Sequence, residues 1–137
     1  MADRTITATD VVNSTRPKGD GSGTAGEVID AGEWVYLKAS DNLLYLAQND
    51  VLADIVVLGM ALASAVKIGQ SIPYQTQGSV TVTTGGTVSR FLYLSDTPGK
   101  CAPIADITSG LYKQCVGYEV DATTIMVSIV NTGLAVP

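Results

Sequence analysis

The sequence predicts an all-β protein: a compact barrel or two-sheet sandwich, of jelly-roll or β-tulip kind, with an extended N-terminal arm. Three observations lead there. Short runs rich in Val, Ile, Thr and Tyr recur along the chain, as a pleated, half-buried surface prefers. Turn residues punctuate these runs at short, regular intervals, the spacing of a sandwich or barrel. The two halves of the chain also resemble each other, which points to two pseudo-repeated halves.

Residues 1–25 differ from the rest and form the expected arm and loop, ahead of a single β domain over 26–137. Thr5-Ile6-Thr7-Ala8-Thr9 alternates like a short strand, with Val11-Val12 extending it. From Asn13 to Gly23 almost no apolar side chain occurs, so burial cannot offset the ordering entropy, and a flexible Gly-rich loop is expected. From Gly26 onward, strands are predicted at Val28-Ile29, Trp34-Val35-Tyr36-Leu37, Leu43-Leu44-Tyr45-Leu46, Ser71 to Gln75, Val80-Thr81-Val82, Phe91-Leu92-Tyr93-Leu94, Gln114 to Val120 and Thr124 to Val130. Asp30-Ala31-Gly32, Ser40-Asp41-Asn42, Gly85-Gly86 and Asp96-Thr97-Pro98-Gly99 supply turns between them.

The stretch from Val51 to Val66 would also suit a buried helix, since Leu, Ala and Met propagate helices well. Gly59 at its centre and the β-branched Ile55-Val56-Val57 favour a strand with a small flanking helical turn. The internal comparison agrees. Val35-Tyr36-Leu37 matches Leu92-Tyr93-Leu94, 57 positions later, and Val57-Leu58-Gly59-Met60 matches Cys115-Val116-Gly117-Tyr118, 58 positions later. A duplication over roughly 26–78 and 86–133 is therefore expected, with the Gly59 and Gly117 strands in corresponding places of two half-folds related by a pseudo-two-fold. The predicted core comprises Val35, Leu37, Leu44, Leu46, Val57, Leu58, Leu92, Leu94, Val116 and Ile129. Trp34, Tyr36, Tyr45 and Tyr93 are expected in the core rather than in a sugar-binding platform.

Chemistry is hard to find in this chain. Its 137 residues contain no histidine, which removes the Ser-His-Asp and Cys-His constellations and the usual imidazole base. Two cysteines, Cys101 and Cys115, cannot make a structural zinc site alone; a disulfide would need close, correctly directed Cβ atoms, and free, largely buried thiols are expected instead. No cofactor and no metal is implied. Glu27, Asp30 and Glu33 cluster in sequence, but Asp30 fits a turn, and the two glutamates read as solvated strand-face residues. Gly19 to Gly26 lacks the Gly-Lys-Ser/Thr ending of a phosphate loop. The net charge is −5 and the basic residues are scattered, so no nucleic-acid footprint is present. No stretch has the length of a membrane span, and no apolar leader follows Met1-Ala2-Asp3-Arg4, so synthesis in the cytoplasm is expected. Charged residues make up only 15%, fewer than a domain exposed on all sides normally carries, which suggests a surface partly covered by partners.

Taken together, the stretches Met1-Ala2-Asp3 through Thr9-Asp10-Val11-Val12, Gly23-Thr24-Ala25-Gly26-Glu27, Ala31-Gly32-Glu33-Trp34-Val35-Tyr36-Leu37, Gly59-Met60-Ala61-Leu62, Val80-Thr81-Val82, Leu92-Tyr93-Leu94-Ser95 and Ala102 to Gly110 resemble the small decoration, or cement, proteins of tailed-bacteriophage capsids. The resemblance implies a virion protein without enzymatic activity, on the capsid exterior, binding the major capsid protein and itself. It also implies a homo-oligomer, with a trimer favoured over a dimer. A phage tail or baseplate component, or a carbohydrate- or receptor-binding β module, is the alternative. An extended arm can add a strand to a neighbour's sheet, so contacts with capsid or sister subunits are expected at Asp3, Arg4, Thr5, Ile6, Thr7, Val11, Val12, Arg16 and Lys18. Removing residues 1–25 is then expected to leave the barrel folded.

Overall fold

The computed structural model describes residues 3–13, 21–49, 56–107 and 112–135. Among these residues eleven strands form two antiparallel sheets. They are β1 (Val12–Asn13), β2 (Gly21–Thr24), β3 (Trp34–Leu37), β4 (Leu44–Leu46), β5 (Gly59–Ala61), β6 (Ser71–Gln75), β7 (Gln77–Thr81), β8 (Phe91–Leu94), β9 (Cys101–Pro103), β10 (Tyr112–Asp121) and β11 (Thr124–Ala135). The first sheet runs β2-β6-β5-β3-β4 and the second β1-β7-β11-β10-β8-β9. The chain is thus all-β, two sheets packed face to face.

The duplication is a property of the topology. Without β1, the second sheet repeats the first strand for strand, with β7, β8, β9, β10 and β11 standing where β2, β3, β4, β5 and β6 stand. The registers repeat as well. Val35 pairs with Leu46 and with Gly59; correspondingly, Leu92 pairs with Pro103 and with Gly117. Met60 faces Gln75 as Tyr118 faces Met126. Even the turns agree: Gly32 at φ 91° and Ser89 at φ 63° occupy one position, Asn42 at φ 59° and Gly99 at φ 76° another. The repeats span residues 21–75 and 77–128, so their start lies earlier than the sequence comparison placed it.

Each β3 side chain from 34 to 36 is buried because this strand is sandwiched between two cores. Trp34, Tyr36 and Met60 face the larger cluster, where Val80, Leu92, Leu94, Val116, Ile125 and Val127 of the second sheet meet them. Val35, Leu44, Ala61 and Ile72 point the other way, into a smaller cluster with Ala25, Ile29 and Ala65. A parallel bridge between Ala25 and Leu44 joins the ends of the first sheet around that smaller core. The two repeats therefore meet head to tail and not about the expected pseudo-two-fold, because the outer face of the first is seated in the inner face of the second.

Several expectations need correction. Leu37 is 49% exposed: it ends β3 on the side of Val35 and lies outside the smaller cluster. Leu46, Leu58 and Ile129 are only partly buried. Gly21–Thr24, expected as flexible loop, is a strand paired along its whole length to β6. Residues 8–10 form a 3-10 turn rather than strand, and the short strand begins at Val12. The Gly59 segment is a strand, as expected; residues 51–55 lie outside the described residues.

The contrast between two leucines tests the packing. Leu92 is fully buried, so Leu92→Ala is expected to cost roughly 2–5 kcal/mol. Leu37→Ala should cost under about 1 kcal/mol. Urea unfolding of both variants measures the difference.

Candidate functional site

The N-terminal residues were the sequence's candidate contact sites, and the structure binds them to their own body. Arg4 N–H donates to the Cys101 carbonyl at 2.7 Å, on the outer edge of β9. Further along, at Val12 and Asn13, β1 pairs with β7 at the opposite edge of the same sheet. The segment thus spans the second sheet from edge to edge. In the first repeat the equivalent carbonyl, that of Leu44, takes its bond from Gly26 N–H at 2.8 Å. The arm does for the second repeat what residues 25–26 do for the first, and it occupies sheet edges that would otherwise invite pairing with other chains.

Side chains along the arm alternate in and out. Arg4 is buried, and Ile6 and Val11 pack partly against the main core, whereas Thr5 and Thr7 are exposed. Asp3 Oδ1 accepts from Ser95 Oγ at 2.5 Å, and Thr7 N–H donates to Thr83 Oγ1 at 2.6 Å. Val12 contributes its backbone to β1. Arg16 and Lys18 lie outside the described residues. The Arg4 guanidinium bonds inside its own chain.

Its partner is Glu119. This residue sits at the position that Ala61 occupies in the first repeat, facing inward from β10 with no exposed surface. Arg4 Nε donates to Glu119 Oε1 at 2.7 Å, and Arg90 Nε to Oε2 at 2.8 Å. Thr87 N–H adds a bond to Oε2 at 2.7 Å. Arg4 also donates to the Thr83 carbonyl at 2.5 Å and, more distantly, to that of Ala122 at 3.4 Å. Burial pushes the Glu119 carboxyl up, but Arg90, the Thr87 N–H and Arg4 outweigh it and hold the group below the usual glutamate range. The sequence signal for this cluster was Glu119 itself, a lone carboxylate on the inward side of an apolar strand, which requires a cation.

A cleft of about 270 Å³ opens beside the cluster, lined by Asp3, Arg4, Thr5, Thr84, Gly85, Arg90 and Pro103. Its two guanidiniums, those of Arg4 and Arg90, already pair with Glu119. Glu33, expected as a solvated face residue, is instead buried. Its Oε1 accepts from Asp30 N–H at 2.7 Å and its Oε2 lies 3.2 Å from Lys100 Nζ. It ties the 30–33 turn to the second repeat. Among the described residues no group of three or more Cys, Asp or Glu is placed to hold a metal.

Both cysteines are free thiols. Burial pushes Cys101 up to about 12, and burial likewise raises Cys115. A nucleophilic cysteine needs the opposite shift. A thiol reagent at pH 8 is therefore expected to leave Cys101 of the folded protein unmodified and to titrate both thiols in denaturant, followed by absorbance. Rapid labelling of Cys101 in the native state would mean that the arm opens.

The outer face of the second sheet carries two cross-strand rows with exposed apolar members. Directly paired residues share a face, so Phe91, Tyr118, Met126 and Ser79 form one cross-strand row. Tyr93, Cys115 and Val130 form the next. The Phe91 and Tyr118 rings are 5.8 Å apart, and Lys113 Nζ lies 5.9 Å from the centroid of Tyr93. Phe91 is 57% exposed and Val130 55%. Of the aromatic residues expected in the core, Trp34 and Tyr36 are there, while Tyr45 and Tyr93 are half-buried.

Comparison with protein-family models, curated proteins and solved structures gives no match to this chain. What the fold and its surfaces define is a duplicated all-β body with a strapped edge and one apolar outer face.

Proposed function

We propose that this chain is a structural virion protein that binds the outside of a tailed-phage capsid shell and stabilises it by bridging major capsid protein subunits, without catalysing a reaction. The observation that carries the reading is where the phage-like stretches fall. Ala31 to Leu37 and Gly59 to Leu62 contain β3 and β5 of the first sheet, and Leu92 to Ser95 and Ala102 to Asp106 contain β8 and the edge strand β9 of the second. The resemblance is thus spread over the framework of both repeats. A body with two cores and both edges of its second sheet engaged resists deformation, as a clamp on a pressurised shell must. The exposed, uncharged rows around Phe91 and the Thr5 and Thr7 side of the arm are the surfaces such a body offers to neighbours.

Expanded shells lacking the protein provide the test. Added protein is expected to co-sediment with them at saturable stoichiometry and to raise the temperature at which they open. Failure to bind shells while binding isolated tails would favour the tail or baseplate alternative. Phe91 and Tyr118 are tilted 59° to each other, so they do not form one flat platform for a sugar ring. Retention on a glycan array would nevertheless overturn the shell reading in favour of a receptor-binding module.

A further inference from the structure

We infer that the outer face of the second sheet is a two-fold contact between two copies of this chain. The inference rests on the duplicated fold and not on the shell reading. In the first repeat the row Trp34, Met60 and Gln75 is fully buried, because the second sheet covers it. The matching row of the second repeat is Phe91, Tyr118 and Met126, on the same side of the corresponding strands. That row keeps the apolar character of a covered face. Phe91 is 57% exposed there, and Val120, on the same strand as Tyr118, is 40% exposed. Stacked-repeat proteins end on a polar outer surface; this stack ends on an apolar one.

The fold also limits what can sit there. Continuing the stack head to tail would need the inner face of another chain's first repeat. That face is already filled by Ala25, Ile29, Ala65 and Ile72. Like against like remains, an isologous contact that closes on itself and cannot polymerise. The charges suit it. Lys113 and Asp121 are exposed at opposite ends of β10, with Gly117 midway between them. A two-fold axis crossing the strand perpendicularly near Gly117 carries each Lys113 to the partner's Asp121, and the uncharged rows pack between. A dimer then takes the place of the trimer that the phage resemblance implies.

Sedimentation equilibrium of the full chain at about 50 µM tests this. The wild type is expected to be a dimer. Phe91→Lys, at a side chain already largely in solvent, is expected to be a monomer with an unchanged circular dichroism spectrum. Lys113→Glu should weaken the dimer about tenfold, and adding Asp121→Lys should restore it. A monomeric or trimeric wild type, or a dimer that survives Phe91→Lys, would overturn the assignment. Loss of rescue by Asp121→Lys would overturn the orientation of the axis. Shell binding is read in a separate experiment, so either result can fail without the other.

Discussion

Gly117→Ala is expected to destabilise the fold by more than the roughly 1–3 kcal/mol that overpacking normally costs, and Gly117→Val to abolish it. A Cβ at residue 117 would lie 2.2 Å from the Met126 carbonyl oxygen and 3.2 Å from its carbon. These are backbone atoms of β11, paired to β10 along its length, so relief requires moving one central strand against the other. The first repeat makes the same demand: a Cβ at Gly59 would lie 2.5 Å from the Gln75 carbonyl oxygen. Gln75 and Met126 occupy equivalent positions, so the two glycines answer one steric requirement of the shared fold. Gly59→Ala should therefore be destabilising in the same way. Gly69→Ala is the control for an added methyl alone: residue 69 has open space around it, although its φ of 92° strains any side chain modestly. A melting midpoint that falls by about 10 °C or more for Gly117→Ala would bear this out; an unchanged midpoint would mean the strands can separate without penalty.

These glycines also explain what the sequence allowed one to see. The duplication was legible where the repeats need the same residue type for the same reason: Gly59 and Gly117 at a close approach, Val35 and Leu92 facing inward. It was illegible where different residues meet one geometric need. Gly32 and Ser89 both accept a positive φ at the same turn, and nothing in their identities announces it. Strand β2 escaped notice because Gly21-Ser22-Gly23-Thr24 lacks apolar side chains. Its glycines instead leave room for larger neighbours. A Cβ at Gly21 would meet the Tyr74 ring at 2.5 Å, and one at Gly23 the Leu44 side chain at 2.7 Å. A reading based on hydrophobic periodicity finds strands that bring their own apolar surface and passes over strands that lie beneath someone else's.

The closure of the arm on its own body was illegible for a related reason. Thr5 to Thr9 has the alternation of a free arm that could join another chain's sheet, and such an arm is chemically indistinguishable from one that closes its own. The deciding residue, Glu119, lies 115 positions from Arg4. Phe91 drew no attention because exposure of an aromatic residue depends on which side of the sheet it takes. That side became readable only once Trp34, its counterpart, was found buried.

Removing residues 1–13 is expected to leave a chain without a cooperative unfolding transition, contrary to the expectation that the barrel folds without its arm. The deletion takes away Arg4, the packing of Ile6 and Val11, and β1 together. Arg4→Ala isolates the first of these. The side chains of Arg4 and Glu119 are 2% and 0% exposed, so the substitution leaves a buried carboxylate with half its compensation. Breaking a buried pair in this way costs about 3–5 kcal/mol, and the bonds from Arg90 and Thr87 that survive place the expected loss near 3 kcal/mol. That is a large share of the roughly 5–15 kcal/mol that holds a domain folded. The pH dependence identifies the cause. Because the folded protein holds Glu119 below the usual glutamate range, the carboxylate stabilises the fold above the unfolded value of about 4.3, and this contribution is lost as pH falls through the depressed folded value. Without Arg4 the folded value rises toward or past the unfolded one, so Arg4→Ala should lose its remaining stability at higher pH than the wild type. Urea midpoints measured between about pH 3 and 7 for the wild type, Arg4→Ala and Glu119→Gln separate the cases. Glu119→Gln should flatten the acid limb. Parallel acid limbs in all three proteins would show that the arm is held by packing alone and that the ion pair contributes nothing to its closure.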